Sequence, residues 1–527
     1  MATVSSVTYD LLRAHGLTTI FGNPGSNELP FLAGMPDDFN YVLGLHEGAV
    51  LSMADGYSLA TGAAVFVNLH AASGSGNAMG ALTNSVYSHS PLVVTAGQQV
   101  RAMIGQEVML ANVDAGNLMK PLVKWSAEPT CPEDVPRVMS QAIHTAMLPA
   151  RGPVYVSVPY DDWAQEAPDE AYHLLAHSTT AASDLSESQI DELVDALDTA
   201  MNPVLVLGPA VDAEHANDLA VELAEKLSAP VWMAPSSSRC SFPTRHASFR
   251  GMLPTGIGEI STVLDGYDLV IVIGAPVFRY HQYIPGRYLP DGASLIHITD
   301  DADEAARAPM GTAYIAPIRG ALSALAKRVT TSTRPPLEPL PDYPTPAPAQ
   351  GALRPEMLFA LIREAAPEDT IYVNESTSTA QAFWSQMNLS KQGSFYFPAS
   401  GGLGFGLPAA VGIALAQDRP VVGLIGDGSA NYGITALWTA AQYEIPVVFV
   451  ILKNGTYGAL RGFGALLKTG ETPGLDVPGL DFVKIAQGYG VDSIAVDTEE
   501  DFTAAFTTAL AQRRPYLIEV TTTFDRP

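Results

Sequence analysis

The sequence contains few cysteines and few basic residues. Cys131 and Cys240 are the two cysteines and do not form a Cys-x-x-Cys pair, so a disulfide framework and a cysteine zinc site are excluded as organising features. Lys and Arg number 28 against 55 Asp and Glu, which gives a formal net charge of −27. Because nucleic acids and anionic membranes attract basic surfaces, this balance argues against either as a partner.

Signals of several other protein classes are also missing. No apolar stretch approaches the length of a membrane span, and the first residues lack the charged and apolar regions of a signal peptide. We therefore expect a cytoplasmic protein without a membrane partner. No Gly-Lys dipeptide is present, which excludes a Walker A loop, and the glycines of residues 74–80 lack the spacing of a dinucleotide-binding loop.

Two segments without hydrophobic periodicity divide the chain. One runs from Ala176 to Ser188, and the other, residues 334–350, contains seven prolines. They predict domains over residues 1–180, 181–333 and 351–527, with 334–350 as a Pro-rich linker. In each domain short apolar runs alternate with helical stretches, which is typical of α/β domains whose mainly parallel sheet is flanked by helices.

Two polar clusters in the last domain each follow a short, intensely apolar run. The first is Gly426-Asp427-Gly428-Ser429, and the second is Lys453-Asn454-Gly455-Thr456-Tyr457-Gly458. Apolar runs of this kind are typical of buried parallel strands, so both clusters are expected at the carboxyl edge of one sheet. Carboxylate, amide and carbonyl oxygens suit Mg²⁺, and glycines allow a diphosphate to approach the backbone. The pair of clusters is similar to the diphosphate-binding signature of thiamine diphosphate enzymes.

Three apolar runs of the first domain also end in polar residues. The run at 18–21 leads to Ser26, the run at 41–45 leads to His46-Glu47, and the run at 64–69 leads to His70. Since parallel strands end at a common edge, Ser26, Glu47 and His70 are expected near one another.

Longer motifs add a family resemblance that covers nearly the whole chain. The motifs span residues 21–30, 84–98, 278–283, 374–378 and 401–405. Together they resemble the benzoylformate decarboxylases, a family of thiamine diphosphate-dependent 2-oxo acid decarboxylases. The resemblance implies the thiamine diphosphate-binding fold, with a pyrimidine-binding first domain, a middle domain and a diphosphate-binding last domain.

The same resemblance implies a reaction and its partners. Benzoylformate would lose CO₂ without oxidation through a carbanion/enamine on the cofactor and leave as benzaldehyde, with carboligation of aldehydes as a side path. The cofactors would be thiamine diphosphate and Mg²⁺, and the other partners small 2-oxo acids and aldehydes. The chain would form a homo-oligomer, a tetramer of two dimers, with active sites at the dimer interfaces.

Four catalytic residues follow from the resemblance. Glu47 matches the glutamate that hydrogen-bonds N1′ of the aminopyrimidine, and Ser26 matches the residue that contacts the substrate carboxylate. His70 and His281 match histidines that transfer protons, a role that suits imidazole near neutral pH. Without the family, an isolated histidine is more often structural than catalytic.

The cofactor and metal residues also come from the resemblance. Leu403 matches the residue that wedges the cofactor into its bent shape, and the Gly401 carbonyl would accept from the 4′-amino group. Asp427, Asn454 and the Thr456 carbonyl match the Mg²⁺ ligands. The other matched cofactor positions are Asn23, Asn374, Thr377, Ser378, Gly428, Ser429 and Tyr457.

The substrate pocket carries the clearest departures from the family. Its matched positions are Pro24, Leu110, Thr377, Phe397, Leu460 and Phe463, which form a wall that suits an aryl ring. Gly462 stands where the resemblance would place a tryptophan, and Pro398 and Ser400 replace Cys and Ala, so we expect tolerance of bulkier 2-oxo acids or aldehydes. Lys453 replaces an asparagine beside the metal ligand, and its cation is expected to touch the phosphate region.

Other interpretations stay open at this point. A related 2-oxo acid decarboxylase with another substrate, or a synthase of the acyloin or acetohydroxyacid type, would share the cofactor motifs. Histidine pairs found in pyruvate and indolepyruvate decarboxylases are missing here, since none of the eleven histidines has a histidine neighbour. A non-catalytic cofactor-binding protein would require neither His70 nor His281.

Overall fold

The computed structural model describes residues 2–181, 183–347 and 351–524. They form three sheets of six strands, and every strand pairing between named strands is parallel. Helices flank each sheet, so the α/β prediction with three parallel-sheet domains is confirmed. None of the helices formed by the described residues combines the length and apolar character needed to cross a bilayer.

The strands are short and mostly buried, as the apolar runs predict. In chain order they are β1 Thr19–Gly22, β2 Asn40–Leu43, β3 Val65–Leu69, β4 Leu92–Gln98, β5 Trp125–Ala127, β6 Val154–Pro159, β7 Pro203–Leu207, β8 Val231–Met233, β9 Phe249–Met252, β10 Leu269–Ile273, β11 Ser294–Thr299, β12 Thr312–Ile315, β13 Ile371–Glu375, β14 Phe395–Tyr396, β15 Val421–Gly426, β16 Val447–Lys453, β17 Asp492–Val496 and β18 Tyr516–Thr521.

The helices connect successive strands. They are α1 Val4–Ala14, α2 Leu29–Leu32, α3 Glu47–Thr61, α4 Ala71–Tyr87, α5 Arg101–Ile104, α6 Val135–Met147, α7 Glu187–Thr199, α8 Pro209–Ala213, α9 Asn217–Leu227, α10 Ile257–Val263, α11 Ala302–Arg307, α12 Ile318–Arg328, α13 Pro355–Ala365, α14 Ala380–Gln386, α15 Gly406–Ala416, α16 Asp427–Gly433, α17 Ala436–Gln442, α18 Gly458–Leu467, α19 Phe482–Gly488 and α20 Glu499–Gln512. Short 3₁₀ helices lie at Ala115–Asn117, Pro132–Asp134, Asp162–Ala164, Asp169–Ala176 and Thr377–Thr379.

The first and third sheets have the same strand order. It is β2-β1-β3-β4-β6-β5 in the first and β14-β13-β15-β16-β18-β17 in the third, whereas the middle sheet runs β12-β11-β10-β7-β8-β9. Helix α3 in the first domain therefore corresponds to α15 in the third. In such open parallel sheets, ligands bind where the strands end at their carboxyl edge.

Helices α3 and α15 pack directly against each other and join the first and third domains. Glycines make the close approach of the two helices possible. A Cβ added at Gly56 would lie 2.3 Å from the Ala409 carbonyl oxygen, and one at Gly412 would lie 1.9 Å from the Met53 carbonyl oxygen. The two helices share one apolar core, which fixes the relative position of the first and third sheets.

The Pro-rich segment separates the middle and last domains. Residues 334–347 contain no helix or strand, while residues 348–350 of the predicted linker lie outside the described residues. Residues 1 and 525–527, at the ends of the predicted first and last domains, lie outside them as well.

Candidate active site

Three strand ends meet at one edge of the first sheet. Strand β1 lies between β2 and β3, with Gly22 paired to Leu43 on one side and to Asn68 on the other. The segments that follow these strands carry Ser26, Glu47 and His70. The parallel pairing therefore brings the three side chains to a common edge.

Glu47 is the first residue of α3 and is 7% exposed. Its two carboxylate oxygens accept hydrogen bonds from the side-chain amides of Asn23 (3.2 Å) and Asn77 (2.9 Å). Gly74 lies against it, since an added Cβ there would be 3.2 Å from Glu47 Cγ. The result is a buried carboxylate, held by neutral donors, that can exchange a proton with a group brought to the sheet edge.

His70 directly precedes α4 and is bonded to a buried carboxylate. Its Nδ1 lies 2.8 Å from Glu28 Oε2, and a carboxylate that accepts from Nδ1 leaves Nε2 able to exchange a proton. Gly25 is required here, because a Cβ would lie 2.0 Å from His70 Nδ1. Ser26 follows in the same loop, is exposed, and donates from Oγ to Asn27 Oδ1 (3.3 Å).

Two predicted pocket residues lie beside this loop. Pro24 is exposed. Leu110 is half-buried, has φ of +65°, and its carbonyl accepts a hydrogen bond from Asn27 Nδ2 (3.3 Å). The first domain thus presents Asn23, Pro24, Ser26, Glu47, His70 and Leu110 on one surface.

The residues predicted to hold a metal lie at the corresponding edge of the third sheet. Strands β15 and β16 are neighbours in register, with Gly426 opposite Leu452, so Asp427 and Asn454 follow adjacent strand ends. The Asp427 carboxylate is 3% exposed and accepts from the backbone N–H groups of Gly428 (2.8 Å), Asn454 (3.0 Å) and Gly455 (2.6 Å). Burial raises the pKa of the Asp427 carboxyl, while these N–H groups lower it.

The oxygens around Asp427 fit a hard divalent cation. Asn454 Oδ1 accepts from Thr456 N (3.0 Å), and the Thr456 carbonyl accepts from Gly458 N (2.9 Å), so each oxygen keeps a second lone pair. A carboxylate, an amide oxygen and a backbone carbonyl are ligands that Mg²⁺ accepts beside water and phosphate. The Thr456 hydroxyl accepts a hydrogen bond from Arg461 Nε (2.7 Å), so the carbonyl is the oxygen of that residue that is better placed to bind a cation.

Glycine and aromatic residues complete this edge. A Cβ at Gly428 would lie 2.5 Å from the Tyr457 ring, so glycine allows the ring to cover the start of α16. Ser429 is buried in the first turn of α16. The Gly428 N–H of this turn is bonded to Asp427, whereas the following N–H groups of a first helical turn are of the kind that can bind a phosphate.

Lys453, which is expected beside the phosphate region, has a carboxylate partner in its own domain. Lys453 Nζ contacts Glu519 Oε1 at 2.7 Å, and Glu519 Oε2 also accepts from Phe482 N (2.8 Å). The lysine cation is therefore engaged within the third domain, since its strand neighbour β18 supplies a carboxylate. Contact of its cation with the phosphate region stays a prediction, and the Lys453 charge lowers the pKa of the nearby Asp427 carboxyl.

The loop of residues 400–406 carries Gly401 and Leu403. Gly401 has φ of +78°, a conformation that favours glycine, and Leu403 is half-buried. The first domain holds this loop through Asn84, whose Oδ1 accepts from Ser400 N (3.0 Å) and whose Nδ2 donates to the Gly402 carbonyl (2.9 Å).

The remaining predicted cofactor residues follow β13. Asn374 is buried, and its Oδ1 accepts from Ser376 N (2.9 Å). Thr377 and Ser378 form the 3₁₀ turn that comes next, and Ser378 packs on Gly458, where an added Cβ would lie 2.9 Å from Ser378 Cβ. These residues therefore border the loop that contains Thr456 and Tyr457.

His281 of the middle domain lies beside Phe463, a predicted pocket residue of the last domain. The His281 ring meets the Phe463 ring edge-on with centroids 5.0 Å apart, and both His281 and Leu460 are exposed. Phe397 is half-buried, and its N–H donates to the Ser238 carbonyl (3.0 Å). One wall thus combines the middle-domain histidine with apolar residues of the last domain.

Helix α4 contacts both Glu47 and the 400–406 loop, at two separate points. Glu47 bonds to Asn77 and the 400–406 loop bonds to Asn84, seven residues further along α4. At 1.5 Å per residue this places the two attachment points about 10 Å apart along the helix axis. The hydrogen bonds described for the side chains of Ser26, Glu47 and His70 all stay within the first domain.

Comparison with known proteins identifies the family. Three family models match in order: the thiamine pyrophosphate enzyme N-terminal TPP binding domain over residues 2–118, the central domain over 190–325 and the C-terminal TPP binding domain over 376–520. A curated benzoylformate decarboxylase of Pseudomonas aeruginosa is 62% identical over 100% of both chains. The chain belongs to the thiamine diphosphate-dependent benzoylformate decarboxylase family.

A solved structure supports the same assignment. The thiamine diphosphate-dependent 4-hydroxybenzoylformate decarboxylase of Rhodococcus jostii matches with a TM-score of 0.99 and 72% identity over 100% of both chains. The relation to synthases is more distant, since the Escherichia coli acetolactate synthase isozyme 3 large subunit is 28% identical over 97% of this chain and 92% of its own. As a member of the benzoylformate decarboxylase family, the chain is a thiamine diphosphate-dependent carboxy-lyase for small 2-oxo acids of the benzoylformate type.

Sequence reasoning did not select two buried residues that support predicted site residues. Glu28 is 1% exposed and, besides His70, accepts from the backbone N–H groups of Gly25 (2.9 Å), Ala71 (3.2 Å) and Gly97 (2.8 Å). Asn84 is equally buried and holds the 400–406 loop. Both lie within motifs that carry the resemblance, but spacing alone does not show that their side chains face the site.

Proposed function

We propose that this chain decarboxylates aryl 2-oxo acids, including ring-hydroxylated ones, at sites completed by a second copy of the chain. The observation that carries the proposal is the meeting of Ser26, Glu47 and the Glu28-bonded His70 at one sheet edge. The Asp427–Asn454 edge of the third sheet would supply the diphosphate and metal half. The predicted domain bounds, 1–180, 181–333 and 351–527, belong to this proposal, and each family-model match falls within one of them.

The cofactor and metal roles follow from the donors present. When bound, thiamine diphosphate supplies a nucleophilic carbon and the electron sink that loss of CO₂ requires. Asp427 Oδ, Asn454 Oδ1 and the Thr456 carbonyl would hold Mg²⁺, and the residues assigned to the cofactor would be Asn23, Glu47, Asn374, Thr377, Ser378, Gly401, Leu403, Gly428, Ser429 and Tyr457.

Side chains of this protein would transfer the protons that the reaction requires. Glu47 exchanges a proton at a carboxylate oxygen that the two asparagine amides keep in place. His70 donates and recovers a proton at Nε2, because its Nδ1–H is committed to Glu28. Ser26 donates from Oγ to the substrate carboxylate, and His281 provides a second proton donor on the Phe463 wall.

A second copy would join the two halves of the site. Large apolar side chains are exposed near both halves, including Met109 (83%) and Leu29 (57%) on the first domain and Leu460 (51%) and Leu467 (67%) on the last. Exposed apolar surface of this kind is typical of protein–protein contacts. Pairing the first domain of one chain with the last domain of another in a two-fold dimer would bury it, and two dimers would form the expected tetramer.

Mixing two inactive variants tests this arrangement. We expect Glu47→Gln to disable the first-domain half and Asp427→Ala to disable the metal half. If the halves come from different chains, each hybrid dimer contains one site with both halves intact. Co-refolding equal amounts should then restore about a quarter of wild-type activity, because about half of the dimers are hybrids and half of their sites are intact.

The controls make the mixing result decisive. Each variant refolded alone should stay inactive, and mixing either with wild-type chain should not exceed the activity expected from dilution. A mixture of the two variants that remains as inactive as its components, despite hybrids detected by mass spectrometry, would show that the site lies within one chain.

Selection among ring-substituted aryl 2-oxo acids would depend on residue 462. A Cβ at Gly462 would meet no atom within 4 Å, and its neighbour Phe463 faces His281. The missing side chain leaves space beside the aryl wall, which suits a ring substituent. The 72% identical Rhodococcus jostii protein is itself described as a 4-hydroxybenzoylformate decarboxylase.

Gly462→Trp tests this reading of the pocket. We expect the added indole to fill the open space and to lower kcat/KM for 4-hydroxybenzoylformate by about tenfold relative to benzoylformate, since one pocket group changes discrimination by 1–3 kcal/mol. Gly464→Ala, on the same helix, serves as the control. An equal change for both substrates in Gly462→Trp would contradict a role of Gly462 in ring selection.

The cytoplasmic location expected from the sequence stays a prediction.

A further inference from the structure

A buried carboxylate anchors the loop that carries Leu403. Glu375 ends β13 and is fully buried. Its Oε1 accepts from the backbone N–H groups of Gly404 (2.6 Å) and Phe405 (3.2 Å), and its Oε2 accepts from Gly406 N–H (2.8 Å). Three consecutive N–H groups at the start of α15 thus point at one side chain.

Two glycines allow the backbone to approach Glu375 this closely. A Cβ at Gly406 would lie 2.6 Å from Glu375 Cβ, so the helix start can touch the carboxylate only as glycine. Gly404 has φ of +98° and packs on Tyr432, where an added Cβ would lie 2.8 Å from Tyr432 Cβ. The backbone of residues 404–406 is therefore fitted to Glu375.

The loop is held from both sides. Asn84 bonds Ser400 and Gly402 on its first half, and Glu375 bonds residues 404–406 on its second half. Leu403 lies between the two anchors. A change at either anchor would move the residue that, in the proposed function, supports the cofactor's ring.

The hydrogen bonds from residues 404–406 to Glu375 depend on whether the Glu375 carboxyl is ionised. An ionised carboxylate accepts at both oxygens, whereas a protonated one carries an O–H that would oppose one of the N–H groups. Burial raises the pKa of Glu375 to about 7, and the three N–H groups lower it. Strand β15 and helix α15 carry no titratable side chain, β13 adds Tyr372, and α16 adds Asp427 and Tyr432.

We propose that Glu375 is a positioning residue for decarboxylation, which sets the 400–406 loop and does so only when it is ionised. The proposal rests on the proposed function for the role of Leu403. The anchoring of the loop itself is independent of that function, because it can be measured in the chain without cofactor.

Hydrogen exchange on the chain without cofactor tests the anchor. In Glu375→Gln at pH 8, where the amide group replaces one acceptor by a donor, we expect faster exchange at Gly404, Phe405 and Gly406. The wild-type chain should show the same loss of protection between pH 8 and pH 6, after correction for intrinsic exchange. Equal protection in variant and wild type at pH 8 would overturn the proposal.

Kinetics of the loaded enzyme provide the second readout. We expect Glu375→Gln to lower kcat by about tenfold with little change in KM, because misplacing a supporting residue affects the reacting geometry. The wild-type kcat should rise through pH 7 more steeply than that of the variant, which lacks the ionising group. Parallel pH profiles, or an unchanged kcat, would overturn the positioning role.

Asp212→Asn is the matched control. Asp212 is also a buried carboxylate that accepts from a backbone N–H, that of Gly393 (2.9 Å), and it pairs with Arg239 (3.0 Å) in the middle domain. We expect a lower Tm but unchanged protection at residues 404–406. If wild-type chain lacks decarboxylase activity while Glu375→Gln still loosens the loop, the proposed function fails and the anchor stands.

Discussion

Replacing Glu47 with Gln is expected to lower kcat by about 10²- to 10⁴-fold, the range typical of a lost acid–base group. Glutamine keeps the shape and one acceptor for the Asn23 and Asn77 amides, so the start of α3 should remain in place. It has no proton to exchange with the bound cofactor. The loss should therefore appear in kcat of the loaded enzyme, measured as aldehyde formation from benzoylformate.

Asp55→Asn is the control for that variant, because Asp55 is a fully buried carboxylate on the same helix. Its partners are the hydroxyls of Ser85 (3.0 Å), Ser88 (3.3 Å) and Ser90 (2.5 Å), and burial raises its pKa to about 6. We expect a changed Tm but near wild-type kcat. A Glu47→Gln enzyme that binds cofactor and turns over at the wild-type rate would remove Glu47 from the mechanism.

Replacing His70 with Ala is expected to lower kcat by a comparable factor, about 10²- to 10⁴-fold, because Nε2 is a proton donor in the proposed mechanism. Glu28→Gln should have a smaller effect, about tenfold to 100-fold, since the imidazole remains but its tautomer is no longer fixed. Steady-state kcat of the two variants, measured side by side on benzoylformate, separates the two roles, because only the Glu28 variant keeps the imidazole of residue 70.

His173→Ala is the matched histidine control, since His173 is exposed on the 3₁₀ helix Asp169–Ala176. Its kcat and pH profile should equal those of the wild-type enzyme. A His70→Ala enzyme within a factor of about three of wild type would instead make His70 a structural residue that fills the space beside Gly25.

Much of the fold follows from simple patterns in the sequence. The apolar runs before Asp427 and Asn454 became β15 and β16, in register and adjacent, because buried parallel strands need apolar residues on both faces. The parallel order also explains why Ser26, Glu47 and His70 share one edge. The resemblance added the residue roles, which spacing alone does not provide.

The supporting residues could not be predicted in the same way. Glu28, Glu375 and Asn84 act through partners far along the chain, and a sequence does not show which way a side chain turns at the end of a strand or helix. Lys453 shows the same difficulty, since its partner Glu519 lies 66 residues later on β18. Burial of an acidic residue is a property of tertiary structure, so its consequences appear only with the fold.

The central claim is that the chain decarboxylates benzoylformate-type 2-oxo acids with thiamine diphosphate and a divalent cation. The most direct measurement adds thiamine diphosphate, Mg²⁺ and benzoylformate to metal-stripped chain and follows benzaldehyde with a coupled alcohol dehydrogenase. We predict benzaldehyde formation that requires both additions and is lost when either is omitted. Absence of benzaldehyde from chain that demonstrably holds the cofactor would contradict the account.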